Sequence, residues 1–465
     1  MATFKPVNRD QLYLLPPSVQ DWLPSNHLAH FVVEVVDQLD LSAIESQYRN
    51  VGNAAYSPRM LVALLFLGYA TRTLSSRQLE RATYESVAFR FIAGNTHPDH
   101  DTIAHFRSRF HRELADLFAQ ILQYAQRSGL LKLGTVSLDG TKVKANASKH
   151  KALSHQHAEL LEKQIEEQVK ELLALAEAAD QADVPDGMNL PEELSRRGDR
   201  IKKIRDAKEE MERRAQERYE AEQAEYERKM AAREKKAQDT GKKPGGKPPQ
   251  PPVPGPRPKD QVNLTDRESR IMPKGKNHFE QAYNGQAGVD TESRLIVGQR
   301  ITQNTNDKEE LTPMLDQLVQ LPPEFGKVKL LLCDAGYFSE ANIKACIAAG
   351  VSPLIAKNRE RHNQSALERF SEPKEPPPCI KADPVGHMLH RLKTMDGKSL
   401  YGLRKSTVEP VFGIIKSILG LQQFSLRGVA KVASEWAIAC TAYNIKRLHT
   451  MVTSRPAETQ KMMTC

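Results

Sequence analysis

The chain has 465 residues, 39% of them hydrophobic and 27% charged, and 67 Lys and Arg against 58 Asp and Glu leave a net charge of +9. That length supports two or three domains with real cores, and the basic balance favours a polyanionic partner. Five scattered cysteines (Cys333, Cys346, Cys379, Cys440, Cys465) without a Cys-x-x-Cys pair argue against a disulfide framework and against structural zinc, and the longest apolar stretch, 60–67, is far too short to span a bilayer.

The first residues contain no apolar signal core, so a cytoplasmic location is expected. Residues 1–130 read as a helical domain. A short amphipathic segment lies at 40–48. Ser57-Pro58 is a helix start, with Ser as N-cap and Pro at the first helical position, ahead of a helix at 60–69 that is apolar nearly all round. Two short helices fit 73–92, and Asp101 is the expected cap of a further helix carrying Arg107 and Arg109. The rhythm suits a helix-turn-helix-like DNA-binding domain, and equally a plain helical bundle. His97 and His100 make an incomplete ligand set for zinc and read as a loop beside the cap.

Residues 135–148 read as a strand that enters a turn or a second strand, with Asp139-Gly140 as the turn signal. The composition then changes. From 148 to 237 the chain is charged and helix-favouring. Leu161, Ile165, Val169, Leu172 and Ala176 form one helical stripe, a break falls at 183–191, and Ile201, Ile204, Met211 and Ala215 mark a second long helix. A Pro/Gly/Lys-rich tether is expected at 241–258. The whole of 148–260 reads as an insertion into a larger fold.

Strands return at 262–266, 281–290 and 295–301. A helix at 308–321 follows, then a strand ending at Asp334, a helix at 339–349 and a strand at 352–356. An irregular stretch at 372–378 precedes two helices within 400–450, joined near 420–428, and 451–465 is a tail. This order predicts an α/β fold: a mixed sheet with helices on its faces, spanning 131–450 and interrupted by the insertion.

Three acids stand out. Asp139 ends the run Thr-Val-Ser-Leu, Asp334 ends Leu-Leu-Leu-Cys, and Glu409 lies in Arg-Lys-Ser-Thr-Val-Glu-Pro-Val-Phe-Gly-Ile-Ile-Lys. Each has an ordinary explanation alone: a hairpin turn, a strand exit, and a capping box Ser406-x-x-Glu409. Pro410 places Glu409 near a helix start. Two strand-end aspartates and a helix glutamate also suit a pair of Mg²⁺ or Mn²⁺ ions, the arrangement that cuts and joins phosphodiesters. Tyr401, Arg404, Lys405 and Lys416 surround Glu409. Lys416 lies seven residues on, about two helical turns, so both can face one side and hold phosphates. Cys333, beside Asp334, reads as a buried strand residue.

On these segments, and on 56–61, 79–92, 99–110, Leu426-Arg-Gly and 435–444, the chain resembles the DDE transposases of bacterial insertion sequences. The resemblance implies a ribonuclease-H-like catalytic domain behind a helical N-terminal domain. It implies that Asp139, Asp334 and Glu409 form the acidic triad. It also implies binding of double-stranded element ends, cleavage that frees a 3′ hydroxyl, strand transfer to target DNA, and a homo-oligomeric synaptic complex. The family's Tyr-Arg-Glu-Lys signature is similar to Tyr401-x-x-Arg404 and Glu409-x6-Lys416. One extra residue between Arg and Glu leaves Arg404 and Lys405 both open for the arginine's place. A nuclease without strand transfer and a decayed DNA-binding regulator are the alternatives.

Overall fold

Helices come first in the structure, a computed structural model that describes residues 18–48, 55–148, 151–179, 190–240, 245–274, 278–358, 372–373 and 375–454. They are α1 (Leu28–Asp37), α2 (Ser42–Glu45), α3 (Pro58–Ala70), α4 (Ser76–Glu85), α5 (Val87–Ile92), α6 (His100–Arg109) and α7 (His111–Arg127). Pro58 opens α3, where a missing N–H costs nothing, and every residue from Leu61 to Ala70 is buried. Ser75 and Gln78 close a capping box on α4. Helix α6 starts two residues earlier than expected. Its cap is Asp99, whose carboxylate accepts from Thr102 N at 2.7 Å, and Asp101 sits in the first turn. The two arginines of α6 are used inside the bundle. Arg107 is buried and donates to Leu74 O at 3.1 Å, while Arg109 lies over the Phe110 ring and donates to Gln47 O.

The strands are β1 (Leu133–Lys144), β2 (Ala152–Ser154), β3 (Gln261–Asn263), β4 (Arg270–Pro273), β5 (Phe279–Asp290), β6 (Ile296–Thr302), β7 (Gly326–Cys333) and β8 (Ser352–Ile355). Between and after them come α8 (His155–Ala179), α9 (Leu190–Thr240), α10 (Leu311–Val319), α11 (Glu340–Ala348), α12 (Pro384–Lys393), α13 (Met395–Gly413) and α14 (Val429–Thr453). Strand β1 runs straight through Asp139-Gly140, where a turn was expected. By contacts the chain forms two compact units, 1–143 with 283–465, and 144–282. The sequence boundaries at 130/131 and at 148 and 260 therefore differ from the contact boundaries.

In the first unit the sheet runs β6, β5, β1, β7, β8, with β5–β6 antiparallel and β1–β7 and β7–β8 parallel. The short β4 also pairs antiparallel with β5 in this sheet; with β4 left aside, the order by appearance is three, two, one, four, five, which is the ribonuclease-H-like arrangement. Helix α14 is apolar on nearly all sides because it is enclosed, packing against α7, α3 and β6. Trp436 on α14 donates Nε1–H to Gln286 O at 3.1 Å, and a Cβ on Gly285 would stand 3.0 Å from its indole. Truncating such a residue costs about 3–5 kcal/mol. Asn444 brackets the start of β6, accepting from Ile296 N at 2.9 Å and donating to Ile296 O at 2.8 Å. The N-terminal helices and the sheet thus share α14, which is why contacts do not separate a domain at 130.

In the second unit β2 and β3 pair antiparallel, with Ser154 opposite Gln261. Helices α8 and α9 pack together over Leu153, Ala158, Ile165, Ile204, Ala207, Met211 and Val262, flanked by Leu161, Val169 and Ile201, the stripes expected from periodicity. Arg205 bonds Glu162 and Glu166, both at 2.8 Å, across the helices. The expected tether does not hang free where it is described. Arg233 donates to the carbonyls of Gly246 and Lys247, Arg218 to that of Gly255, and Arg257 pairs with Glu222, so 246–257 lies back along α9. The break expected at 183–191 falls mostly outside the described residues, as do 241–244 and the tail from 455 on. No described helix is long and apolar enough to cross a membrane.

Candidate active site

Parallel pairing sets the first two acids. Leu138 stands opposite Cys333, so Asp139 and Asp334 are the next residues on neighbouring strands. Asp139 remains in the strand, and its Oδ1 accepts from Gly140 N at 2.8 Å. Asp334 leaves the strand and caps a short 3₁₀ turn, Oδ1 accepting from Gly336 N at 2.8 Å. Burial, and then the neighbouring Asp334 carboxylate, push the Asp139 carboxyl up to about 7 against the opposing pull of Arg404. The Cys333 thiol is pushed well up by burial, consistent with an inert strand residue.

Glu409 comes from α13 but not from its start. The helix begins at Met395, where Thr394 caps it through Gly397 N, so Glu409 lies in the last third and Pro410 is internal. Pro410 removes one N–H from the ladder without ending the helix, and a π turn follows at Ile414–Ile418. A capping box at Ser406 is absent: its hydroxyl donates back to Leu403 O at 3.0 Å.

Arg404 joins the acids. Nη1 donates to Asp139 Oδ2 at 3.0 Å and Nη2 to Glu409 Oε1 at 2.9 Å. Burial draws its guanidinium down, but the charges of Asp139, Tyr401, Glu409 and Asp334 more than offset that and hold it above its ordinary value. Lys405, the other candidate for this place, is exposed. The Tyr401 hydroxyl donates to Cys333 O at 3.2 Å, which ties α13 to the end of β7. Lys416 Nζ donates to Lys142 O at 3.0 Å, tying the π turn to β1 just past Asp139.

The sequence reading missed a fourth acid, Asp307, in the loop after β6. It accepts from Asn284 Nδ2 at 2.6 Å and Gln286 Nε2 at 2.7 Å, and Lys142 Nζ stands 3.4 Å away. Gly140 makes room for this group: a Cβ there would lie 2.3 Å from Gln286 Nε2 and 2.4 Å from Asp307 Oδ1. Gln286 is joined in turn to the buried Tyr337 hydroxyl. A signal was present, since Asn284 and Gln286 are polar residues two apart on a strand that is otherwise buried.

Among the described residues no three His, Cys, Asp or Glu side chains stand close enough to hold one metal ion, and Glu409 is half-exposed and bonded to Arg404. The donor chemistry nevertheless fits a hard divalent cation. The Asp334 carboxylate helps raise the proton affinity of Asp139, which a cation would relieve, and Asn284 Oδ1 is a buried oxygen with no hydrogen-bond partner among the described residues, 3.0 Å from the Cβ position at Gly140.

The family described as Transposase DDE domain matches residues 252–445, and the one described as Transposase domain (DUF772) matches residues 17–109, together more than half of the chain. The first match contains Asp334, Glu409 and Asp307, and begins after Asp139. No curated protein and no solved structure matched the chain.

Proposed function

The chain belongs to the DDE transposases, and from that premise we propose that it binds the ends of its own insertion sequence as a homo-oligomer, cuts them, and joins the freed 3′ ends to target DNA. The observation that carries the reading is Arg404 bonded to both Asp139 and Glu409, with Asp334 on the adjacent strand. Asp139, Asp334 and Glu409 would be the acids that hold divalent metal, which DDE transposases generally use. Two Mg²⁺ or Mn²⁺ ions supply activation of the attacking oxygen and stabilisation of the leaving oxygen when bound.

Water attacks the phosphodiester at the element end, the P–O3′ bond breaks, and a 3′ hydroxyl is left. That hydroxyl attacks a phosphodiester of target DNA, forms a new P–O bond and releases the target's own 3′ oxygen. No covalent intermediate with the protein is needed. Arg404 would hold a phosphate beside the scissile bond, with Lys405 and Lys416 on the flanking phosphates. Tyr401 keeps α13 in register with β7. Asp307 positions Asn284, Gln286 and Lys142 around Gly140.

The test is incubation of the protein with the DNA that flanks its gene, with Mg²⁺ or Mn²⁺, mapping of the cuts, and a strand-transfer assay on the cut ends. Nicks at the element boundary followed by joining support the reading. Cleavage without joining would make the protein a nuclease, and binding with no cleavage in either metal would make it a regulator.

A further inference from the structure

Charge is distributed unevenly along the second unit. Helix α8 has six glutamates against two lysines. In the adjoining part of α9, arginines are matched with acids: Arg205 with Glu162 and Glu166, Arg213 with Glu210 and Glu217, Arg218 with Asp260. Arg218 marks the level of the β2–β3 ribbon, and α9 continues past it to Thr240, roughly 33 Å of further helix. Residues 228–240, at that far end, have five lysines and arginines against two acids, a charge of +3 in a chain whose total is +9.

The placement of these bases is regular. Arg228 and Lys235 are seven residues apart, as are Lys229 and Lys236, so they form two neighbouring rows about 100° apart around the helix. Arg228, Lys229 and Lys235 are exposed, Lys229 pairing only along its own helix with Glu225 among the ion pairs described. Arg233 anchors the returning chain through the carbonyls of Gly246 and Lys247, which brings the exposed Lys247 to the same end. A helix C-terminus favours cations in its last turn, but these begin about three turns earlier. A row of like charges along an exposed helix suits a linear polyanion better than a compact ligand.

We infer that the distal end of α9, with the returning Lys247, is a sequence-independent surface for the phosphate backbone of duplex DNA, separate from end recognition and from the acids of the sheet. It requires DNA binding but no cleavage, so its failure is distinguishable from that of the proposed activity.

The experiment uses the full chain and a fluorescent duplex of random sequence, with affinity measured across a salt series. Combined Arg228→Gln, Lys229→Gln and Lys235→Gln should lower the slope of log affinity against log salt by about 3, at close to 0.9 per phosphate contact. Arg228→Lys, Lys229→Arg and Lys235→Arg together should retain the slope. A control of three exposed lysines elsewhere in the unit, Lys163→Gln, Lys170→Gln and Lys203→Gln, should also retain it. An unchanged slope in the first variant overturns the inference and points the surface towards a protein partner. An equal fall in the control overturns it too, since the effect would then be general charge and not contact.

Discussion

Arginine–carboxylate pairs recur in both compact units, in different surroundings. Arg213 and Glu210 on α9 stand with the arginine half in water, and such pairs contribute about 0–1 kcal/mol each. Arg404 and Asp139 are only 13% and 16% exposed, and losing one partner of a buried pair costs about 3–5 kcal/mol. The inserted unit spreads many weak pairs over a long surface, which tolerates change and leaves a net charge at its far end. The sheet concentrates a few charges in a poorly solvated place, where Asp334 and Arg404 act in opposite directions on the proton affinity of Asp139. Chemistry on phosphate requires the second kind of setting, and holding a long polyanion requires only the first.

The largest expected effect tests the concentrated side. Asp139→Ala, Asp334→Ala and Glu409→Ala should each abolish detectable cleavage while DNA binding persists; an acid whose removal leaves cleavage intact does not belong to the site. The stability contrast comes next. In urea titrations at pH 8, Arg404→Gln should lose about 3 kcal/mol and Arg213→Gln less than about 1. Equal losses would erase the distinction between the two units. Asp307→Asn keeps the shape but weakens its hold on Lys142, and should slow cleavage about 10–100-fold with binding unchanged. A rate equal to the unaltered protein would reduce Asp307 to a loop residue.

The smallest effect is on pH. The Asp139 carboxyl is raised from 3.8 to about 7, so the folded state favours its neutral form. Its cost is absent below about 4, grows as pH rises, and is complete above about 7. A divalent ion needs the ionised form, so metal competes with a proton there. The gain in melting temperature on adding Mg²⁺ should therefore be larger at pH 8 than at pH 6. A gain independent of pH would separate Asp139 from the metal.

Much of the sheet was legible because apolar runs bounded by Gly, Pro and Asp mark buried strands; the runs ending at Asp139 and Asp334 are strand β1's first half and β7. What failed has local causes. Asp139-Gly140 has the composition of a turn, but Gly140 is needed for space beneath Asn284, Gln286 and Asp307, a tertiary reason that local sequence does not carry. Pro410 suggested a helix start, whereas Thr394 had already begun the helix and packing outweighed the missing N–H. Between Arg404 and Lys405, helical spacing favours Lys405 as the partner of Glu409: Lys405 and Glu409 are four apart, Arg404 and Glu409 five. Arg404 makes the bond because it also has Asp139 in front of it, on a strand 265 positions away in the chain.

The matched register of β1 and β7 acts as a ruler. Adjacent strands lie about 4.8 Å apart by hydrogen-bond geometry alone, and the acids at 139 and 334 inherit that gap from the backbone. Side-chain substitution elsewhere leaves it unchanged, so sequence drift in the helices or the inserted unit cannot detune it. One residue gained or lost within the regularly paired Thr135–Leu138 or Leu330–Cys333 would do what no substitution does, turning one acid to the opposite face of the sheet. The spacing of the two acids is in this sense a property of the sheet's pleat, protected from point mutation and exposed only to insertion and deletion.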